Sequence, residues 1–345
     1  MAKTEDQNLF AALDIGSHTT RLLIARKSGA QLVPIRSERR VTRLAHGFEP
    51  SGKISEEAEL RNIEALREYA SILGELGANK LCCGATGVVR RAKNCEHVIE
   101  RIFDASSIQC TVLSEQREAW LSAKGILSAL KHSGKPMLMF DVGGGSTEFV
   151  LPARGNRVVC ASRPIGAATL SQAFLCEDPP GLQALGRAAA QARNQIESAR
   201  DELYENLLKT DRITGPDRFE LAGTAGTVTT LAAIKLGMKR YVPYRINGTR
   251  ISRDWLANTV DSLALMPIAK RRMIAGLEAG REDIILGGAV IVSQILSGFA
   301  GENLLVSDAG LLEGLVIELA EKECRSARLP AGSPETDLTW RLPRS

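Results

Sequence analysis

The chain has 345 residues, 44% of them hydrophobic and 24% charged, which is the composition of a globular protein long enough for two domains. Its net charge of +4 excludes an overall polyanion-binding signal, so any basic surface must be local. The polar N-terminus lacks a signal-peptide pattern, and no apolar run approaches the roughly 20 residues that span a bilayer. The seven cysteines lack zinc-site spacing. These features predict a cytoplasmic protein with reduced thiols.

The elements alternate along the chain between strand-like and helix-like patterns, which is typical of an α/β protein. An apolar run ends at Asp14, a turn follows, and a second apolar run reaches Ile24, so the sequence predicts a hairpin. A second hairpin is predicted over residues 137–151. The remaining predicted helices are 55–76, 95–103, 114–130, 181–208, 283–299 and 309–320, and the remaining strands are 79–86, 109–113, 219–222 and 304–306.

The two hairpins repeat one pattern. DIGSHTTRLLI, from Asp14, aligns with DVGGGSTEFVL, from Asp141, with Asp, Gly and Thr in register. The repeat predicts two related domains that face one another. A glycine turn lets backbone N–H groups approach an anion, and phosphate is the usual one. A third Gly/Thr turn, GTAGTVTT from Gly223, opens a helix whose N-terminus favours negative charge.

Acidic residues beside phosphate-binding turns require an explanation, because carboxylate repels phosphate unless a cation intervenes. Mg²⁺ commonly binds through one or two carboxylates together with phosphate oxygens. Asp14 and Asp141 each end a strand at a turn and are suited to this role, although aspartate is also a common turn residue. Two other phosphate motifs are rejected. GFEPSGKI, residues 47–54, lacks the Ser/Thr of a Walker A loop, and GGGSTE lacks the third glycine of a dinucleotide fingerprint.

Ten stretches between about residues 8 and 320 are similar to the exopolyphosphatase / guanosine pentaphosphate phosphohydrolase family, and DVGGGSTE and SEQREA are the most specific of them. This family is a branch of the superfamily of actin, heat-shock chaperones and sugar kinases. The resemblance implies an α/β fold of two actin-like (ribonuclease H-like) domains with an interdomain active-site cleft. We expect domain I at 8–132, with the C-terminal helix 309–322 packed back on it, domain II at 133–308, and a disordered tail at 325–345.

The resemblance also assigns roles to residues. Glu118 matches the catalytic glutamate that orients and deprotonates a water, and Glu148 matches a second acid that binds metal or helps place the water. Without the resemblance, Glu118 would be interpreted as a solvated helix glutamate. The expected metal ligands are Asp14, Asp141 and Glu148. The expected phosphate-binding residues are Gly16, Ser17, His18, Thr19, Arg90, Gly143, Gly144, Gly145, Ser146, Thr147, Gly223, Thr224, Gly226 and Thr227. The rest of a polyanion would contact Arg43, Arg91 and Lys93, unless these form only a solvated basic face.

Three residues depart from the family pattern. His18 replaces a usual Asn and would make phosphate binding pH-dependent if it titrates near neutrality. Arg117 replaces an acid before the catalytic glutamate, and a cation there would lower the pKa of Glu118. Leu312 replaces a frequent arginine and removes one phosphate or interdomain contact.

The expected activity is Mg²⁺-dependent hydrolysis of terminal phosphoanhydrides, with K⁺ as a candidate activator. The expected substrates are inorganic polyphosphate and pppGpp, which the family converts to ppGpp in the stringent response, and neither nucleic acid nor membrane is an expected partner. The family also implies a homodimer. Two alternatives remain open, an actin-like kinase or ATPase and a non-catalytic sensor of polyphosphate or an alarmone.

Overall fold

The structure is a computed structural model that describes residues 8–48, 51–130, 135–153, 157–210, 219–326 and 339–340. The strands are β1 (Leu9–Ile15), β2 (Thr19–Ser28), β3 (Gln31–Val41), β4 (Lys80–Ala85), β5 (Thr111–Val112), β6 (Met137–Val142), β7 (Thr147–Ala153), β8 (Arg157–Arg163), β9 (Glu220–Thr224), β10 (Arg250–Ser252), β11 (Asn303–Val306) and β12 (Thr339–Trp340). The helices are α1 (Glu56–Leu76), α2 (Val88–Arg91), α3 (Cys95–Ser106), α4 (Glu115–Ala129), α5 (Ala167–Phe174), α6 (Leu182–Thr210), α7 (Ala225–Lys235), α8 (Pro243–Ile246), α9 (Arg253–Ala264), α10 (Ile268–Arg271), α11 (Ile285–Gly298) and α12 (Leu311–Ser326).

The chain divides into two compact units, Met1–Ala129 together with Leu311–Ser345, and Leu130–Gly310. Each unit has a six-stranded mixed sheet, in the orders β12-β3-β2-β1-β4-β5 and β10-β11-β9-β6-β7-β8. In each sheet a central strand pairs antiparallel with the next strand of its hairpin and parallel with a later strand: β1 with β2 and β4, and β6 with β7 and β9. The predicted α/β class and the repeated hairpin are therefore confirmed.

The first unit is organised around β1, which is buried along its whole length because six of its seven residues are apolar. Helix α1 begins after Ser55, whose side chain accepts a hydrogen bond from the N–H of Ala58, and ends at Gly77, which has a φ of 66°. Both are regular helix-capping arrangements. Helix α1 buries Ile63, Leu66 and other apolar side chains in the core that also covers β1.

Helix α12 packs on α4 and β1 within this first unit. Glycine at position 314 permits the closest approach, since a Cβ there would lie 1.9 Å from the carbonyl oxygen of Leu121 in α4. The location of α4 is therefore determined by backbone-level contact with α12.

The second unit buries one side of the 29-residue helix α6 against its sheet. The buried side chains recur every three or four residues, as a helix face requires. They are Ala188, Ala192, Ile196, Ala199, Leu203 and Leu207. Helix α11, which packs against α6, is apolar through almost its whole length.

Some sequence-based expectations differ from the structure. The predicted strand 109–113 contracts to Thr111–Val112, both of which are exposed. In the predicted disordered tail, 325–326 instead complete α12, and 339–340 form β12, which pairs in parallel with Gln31–Leu32; the other tail residues lie outside the described part of the chain. Among the described helices, none combines the length and apolarity needed to cross a membrane.

Candidate active site

The first hairpin turn places Asp14 at the end of β1. The turn is closed by a hydrogen bond of 3.0 Å from the N–H of Gly16 to the carbonyl of Thr19. Asp14 lies directly opposite Arg21 in the β1–β2 register, and Nη2 of Arg21 donates to its Oδ2 at 2.6 Å. Asp14 is only 5% exposed, and its other oxygen, Oδ1, is buried with no hydrogen-bond partner in the described residues. This turn thus presents a buried carboxylate with one oxygen uncommitted.

Two other segments hold this turn in place. The N–H groups of Thr42 and Arg43 both donate to the carbonyl of His18, at 3.1 and 2.9 Å. The N–H of Val88 donates to Oγ of Ser17 at 3.0 Å. Arg43 has a φ of 48°, an unfavourable conformation for a non-glycine residue, and such strain is concentrated at functional sites. The predicted polyanion contact Arg43 is therefore attached by its backbone to the predicted phosphate turn.

The structure brings together Arg90 and Glu118, which the sequence placed in separate elements. Nη1 of Arg90, on α2, donates to Oε2 of Glu118, on α4, at 2.7 Å, and to the carbonyl of Leu113 at 2.9 Å. Glu115, one turn before Glu118, lies 3.6 Å from Nη2 of Arg90. Both Arg90 and Glu118 keep about a quarter of their side-chain surface accessible (23% and 28%). A planar guanidinium thus fixes the direction of the predicted catalytic carboxylate.

The three departures from the family pattern lie in this unit. The side chain of His18 is exposed at the tip of the first turn. Arg117 binds Glu318 of α12, and Arg90 is a cation that contacts Glu118. Leu312 is 5% exposed and belongs to the apolar interior.

The other predicted polyanion residues have structural contacts. Arg91 is exposed and its guanidinium lies 5.4 Å from the ring centre of Phe48. Lys93 is also exposed, and its Nζ donates to the carbonyl of Ser51 at 3.1 Å. Both cations therefore border the loop that precedes α1, and their role in binding a polyanion remains a prediction.

The second hairpin turn repeats the geometry of the first. The N–H of Gly143 donates to the carbonyl of Ser146 at 3.0 Å, as Gly16 does to Thr19. Asp141 lies opposite Glu148, which takes the position of Arg21 in the first copy. Opposed side chains on paired strands have Cβ atoms about 5 Å apart, so these two carboxylates are neighbours.

A segment that the sequence did not assign to the site supports the second turn. The N–H groups of Ala167 and Ala168 donate to the carbonyls of Gly143 and Gly144, each at 2.9 Å, and Oγ1 of Thr147 donates to the carbonyl of Ile165 at 2.6 Å. A Cβ on Gly166 would lie 2.4 Å from the carbonyl carbon of Gly144. The glycine in PIGAAT is thus needed for this close approach. Gly144 and Gly145, at the tip of the turn, are exposed.

The third predicted turn lies where β9 meets α7. Thr224 is the N-cap residue of α7, and Ala225 has a φ of 66°, again in the left-handed region. Gly226 faces the guanidinium of Arg281, because a Cβ there would lie 2.1 Å from its Nη2. Burial lowers the pKa of Arg281. Sequence reasoning missed this arginine because 55 residues separate it from Gly226. The two residues lie in different stretches of the family resemblance, and nothing in either stretch indicates that they meet.

Gly223 and Thr227 have a different environment from the tip residues of this turn. Gly223 pairs within the sheet, and a Cβ on it would lie 2.9 Å from the ring of Phe140. Thr227 is 3% exposed. Packing explains the glycine at 223, and a phosphate contact at either residue remains a prediction.

The carboxylate donors suit a hard divalent cation. In the described residues, no three His, Cys, Asp or Glu side chains cluster as a complete protein-made metal site would. Mg²⁺ does not require one, since it usually binds one or two carboxylates and takes its other ligands from water and phosphate. The unpartnered buried Oδ1 of Asp14, and the opposed pair Asp141 and Glu148, are donors of that kind.

The fold and the two hairpin turns define an α/β protein of the type found in solved Ppx/GppA structures. The Aquifex aeolicus family member superposes with a TM-score of 0.79 at 28% identity, over 92% of this chain and 98% of its own. The sequence profile of the Ppx/GppA phosphatase family matches residues 23–323. Exopolyphosphatase 2 of Mycobacterium tuberculosis is 31% identical, over 90% of this chain and 98% of that protein, and Exopolyphosphatase 1 of the same species is 26% identical over 92% and 90%. The chain belongs to the Ppx/GppA phosphatase family.

Proposed function

We propose that this protein is an exopolyphosphatase that removes terminal orthophosphate from inorganic polyphosphate by Mg²⁺-dependent hydrolysis. The observation that carries the proposal is the 2.7 Å contact between Arg90 and Glu118. It pairs an acid that can accept a proton from water with a cation that can hold the phosphate under attack. Family membership and the names of the mycobacterial relatives support polyphosphate as the substrate.

The reaction divides into positioning and proton transfer. Glu118 orients a water and takes one of its protons while the water oxygen bonds to the terminal phosphorus. The bridging P–O bond breaks, so the products are orthophosphate and a chain shorter by one phosphate. Phosphoryl transfer depends mainly on positioning and charge stabilisation, which the glycine turns and Arg90 supply. Arg43, Arg91 and Lys93 would hold the following phosphates of the chain.

Asp14, Asp141 and Glu148 would hold Mg²⁺, which neutralises phosphate charge when it is bound. We expect Asp14→Asn and Asp141→Asn to raise the Mg²⁺ concentration needed for half-maximal rate, since an amide oxygen attracts the cation less than a carboxylate does. Titration of the rate with Mg²⁺, after EDTA treatment and dialysis, measures this. Adding K⁺ at fixed Mg²⁺ tests the proposed activator. An unchanged Mg²⁺ requirement in both variants would remove the two aspartates from the metal site.

Orthophosphate release tests the function directly. Long polyphosphate, short polyphosphate and pppGpp are supplied separately with Mg²⁺, and we expect release from long polyphosphate, with pppGpp as a second substrate. Release from pppGpp alone would make the protein an alarmone phosphatase. Nucleotide-dependent phosphorylation of an acceptor without polyphosphate hydrolysis would indicate a kinase. Tight polyphosphate binding without turnover would indicate a sensor.

Two other proposals need separate measurements. Light scattering of the protein as it elutes from a size-exclusion column tests the proposed homodimer. Cell fractionation tests the proposed cytoplasmic location.

A further inference from the structure

The helix that carries Glu118 uses two different faces. Residues three or four apart share a helix face, whereas consecutive residues are about 100° apart. Arg117, Leu121 and Lys124 share the face that contacts α12: Arg117 binds Glu318, Leu121 meets Gly314, and Lys124 binds Glu321. Glu115 and Glu118 share the face that contacts Arg90, at 3.6 and 2.7 Å.

Arg117, which directly precedes Glu118 in the sequence, therefore forms its ion pair with a different helix, α12. Its ion pair with Glu318 is partly exposed, with 39% and 19% of the two side chains accessible. Ion pairs of this kind contribute little to overall stability. The close contact of Gly314 with Leu121 already holds the two helices together one turn further along. What the ion pair adds is a constraint on the rotation of the first turn of α4.

The same pair also holds the Arg117 guanidinium at Glu318 on α12. The carboxylate of Glu318 accepts a hydrogen bond from the guanidinium of Arg117 and lies 3.2 Å from Nζ of Lys322. This ion pair holds the Arg117 side chain against α12. Without Glu318, that guanidinium would be released beside Glu118, where it would compete with Arg90.

We infer that Arg117 and Glu318 form a positioning pair that directs Glu118 toward Arg90 and the attacking water; this rests on the proposed function of Glu118. Both residues act through Glu118 in this inference, and neither is assigned a contact with the substrate. A carboxylate misdirected by about 1 Å can lower a rate by up to about a hundredfold. We therefore expect each of Arg117→Met and Glu318→Gln to lower kcat about tenfold, with KM little changed.

The second ion pair between the same helices supplies a matched control. Lys124 and Glu321 have 22% of each side chain accessible, and Lys124 lies six residues after Glu118 on α4. We expect Lys124→Met to lower the Tm about as much as Arg117→Met does while leaving kcat unchanged. An equal loss of kcat in Lys124→Met would overturn the inference, because helix packing alone would then explain both results.

Two further variants separate this inference from the proposed function. Arg117→Glu alone and Glu318→Arg alone should each lower kcat. The double variant that carries both substitutions should recover most of that loss, because it restores an ion pair with the charges exchanged. In a Glu118→Gln background, Arg117→Met should cause no further loss, because the pair acts through Glu118. Full activity in Arg117→Met, with Glu118→Gln inactive, would refute only the positioning pair. Full activity in Glu118→Gln would refute the proposed catalytic role itself.

Discussion

Arg90 of α2 donates to Glu118 of α4 at 2.7 Å, although the two residues are 28 positions apart in the sequence. The same nitrogen also binds the carbonyl of Leu113, the last residue before the turn into α4. Arg90 is thus tied to both the backbone and the acid of the segment that begins α4. Its guanidinium can satisfy these two acceptors and still present further N–H donors to phosphate, because it carries five.

The first prediction concerns the shape of that guanidinium. We expect Arg90→Lys to lower kcat/KM for polyphosphate by more than about tenfold, since an ammonium keeps the charge but not the planar fork. Arg67→Lys is the control, because Arg67 is exposed and its side-chain hydrogen bond within the described part of the chain goes to the carbonyl of Ala105, at 3.1 Å. Steady-state kinetics of both variants measure the effect. Equal kinetics in Arg90→Lys and wild type would mean that charge alone suffices at this position.

A second prediction concerns the support of the glycine-rich turn. In Gly166→Ala the new methyl group would lie 2.4 Å from Gly144, so the turn or helix α5 must shift. We expect about 1–3 kcal/mol of destabilisation and a raised KM for polyphosphate. Thermal unfolding and kinetics are measured on the same samples. Gly186→Ala, on α6 where a Cβ meets nothing within 4 Å, should keep its KM and gain stability, as alanine favours a helix. If Gly166→Ala had the same KM as wild type, the close contact between Gly166 and Gly144 would not be needed for substrate binding.

The pH dependence of stability should report on Glu318. Burial raises the pKa of this carboxyl. The hydrogen bonds and charges of Arg117 and Lys322 together lower the pKa by more than burial raises it, so the pKa lies below its ordinary 4.5. A depressed pKa stabilises the folded state above the unfolded pKa, and that stability is lost as the pH falls through the folded pKa. We expect Glu318→Gln to destabilise the protein by up to about 1 kcal/mol at pH 7.

This difference from wild type should shrink as the pH falls below 4.5. Urea unfolding between pH 3 and pH 7 measures the free energy of unfolding of both proteins. Arg117→Met should weaken the pH dependence of stability that Glu318 causes, because it removes the arginine that lowers the pKa of Glu318. A difference that grows on acidification would contradict the assignment.

The sequence predicted the parts of the site that follow from local patterns. The two hairpins were visible because Asp, Gly and Thr recur in register, and α1 was visible because its apolar residues recur at helical spacing up to Gly77. The contacts between distant segments were not predictable in this way. Nothing near Gly166, Gly226 or Gly314 indicates which backbone or side chain will approach it, since the partner lies far along the chain in each case. The predicted strand at 109–113 was too long because strand propensity does not show how many residues find a partner strand, and only Thr111 and Val112 pair with β4.

The catalytic role of Glu118 is tested most directly by orthophosphate release from long-chain polyphosphate in Glu118→Gln and Glu115→Gln, compared with wild type. The two glutamates lie one turn apart on the same face of α4 and near the same arginine, so they are closely matched. Glu118→Gln should lose about a hundredfold to ten-thousandfold in kcat while still binding polyphosphate, because the amide cannot accept the proton. Glu115→Gln should keep most of the wild-type rate. A Glu118→Gln variant that releases orthophosphate as fast as wild type would contradict the proposed mechanism.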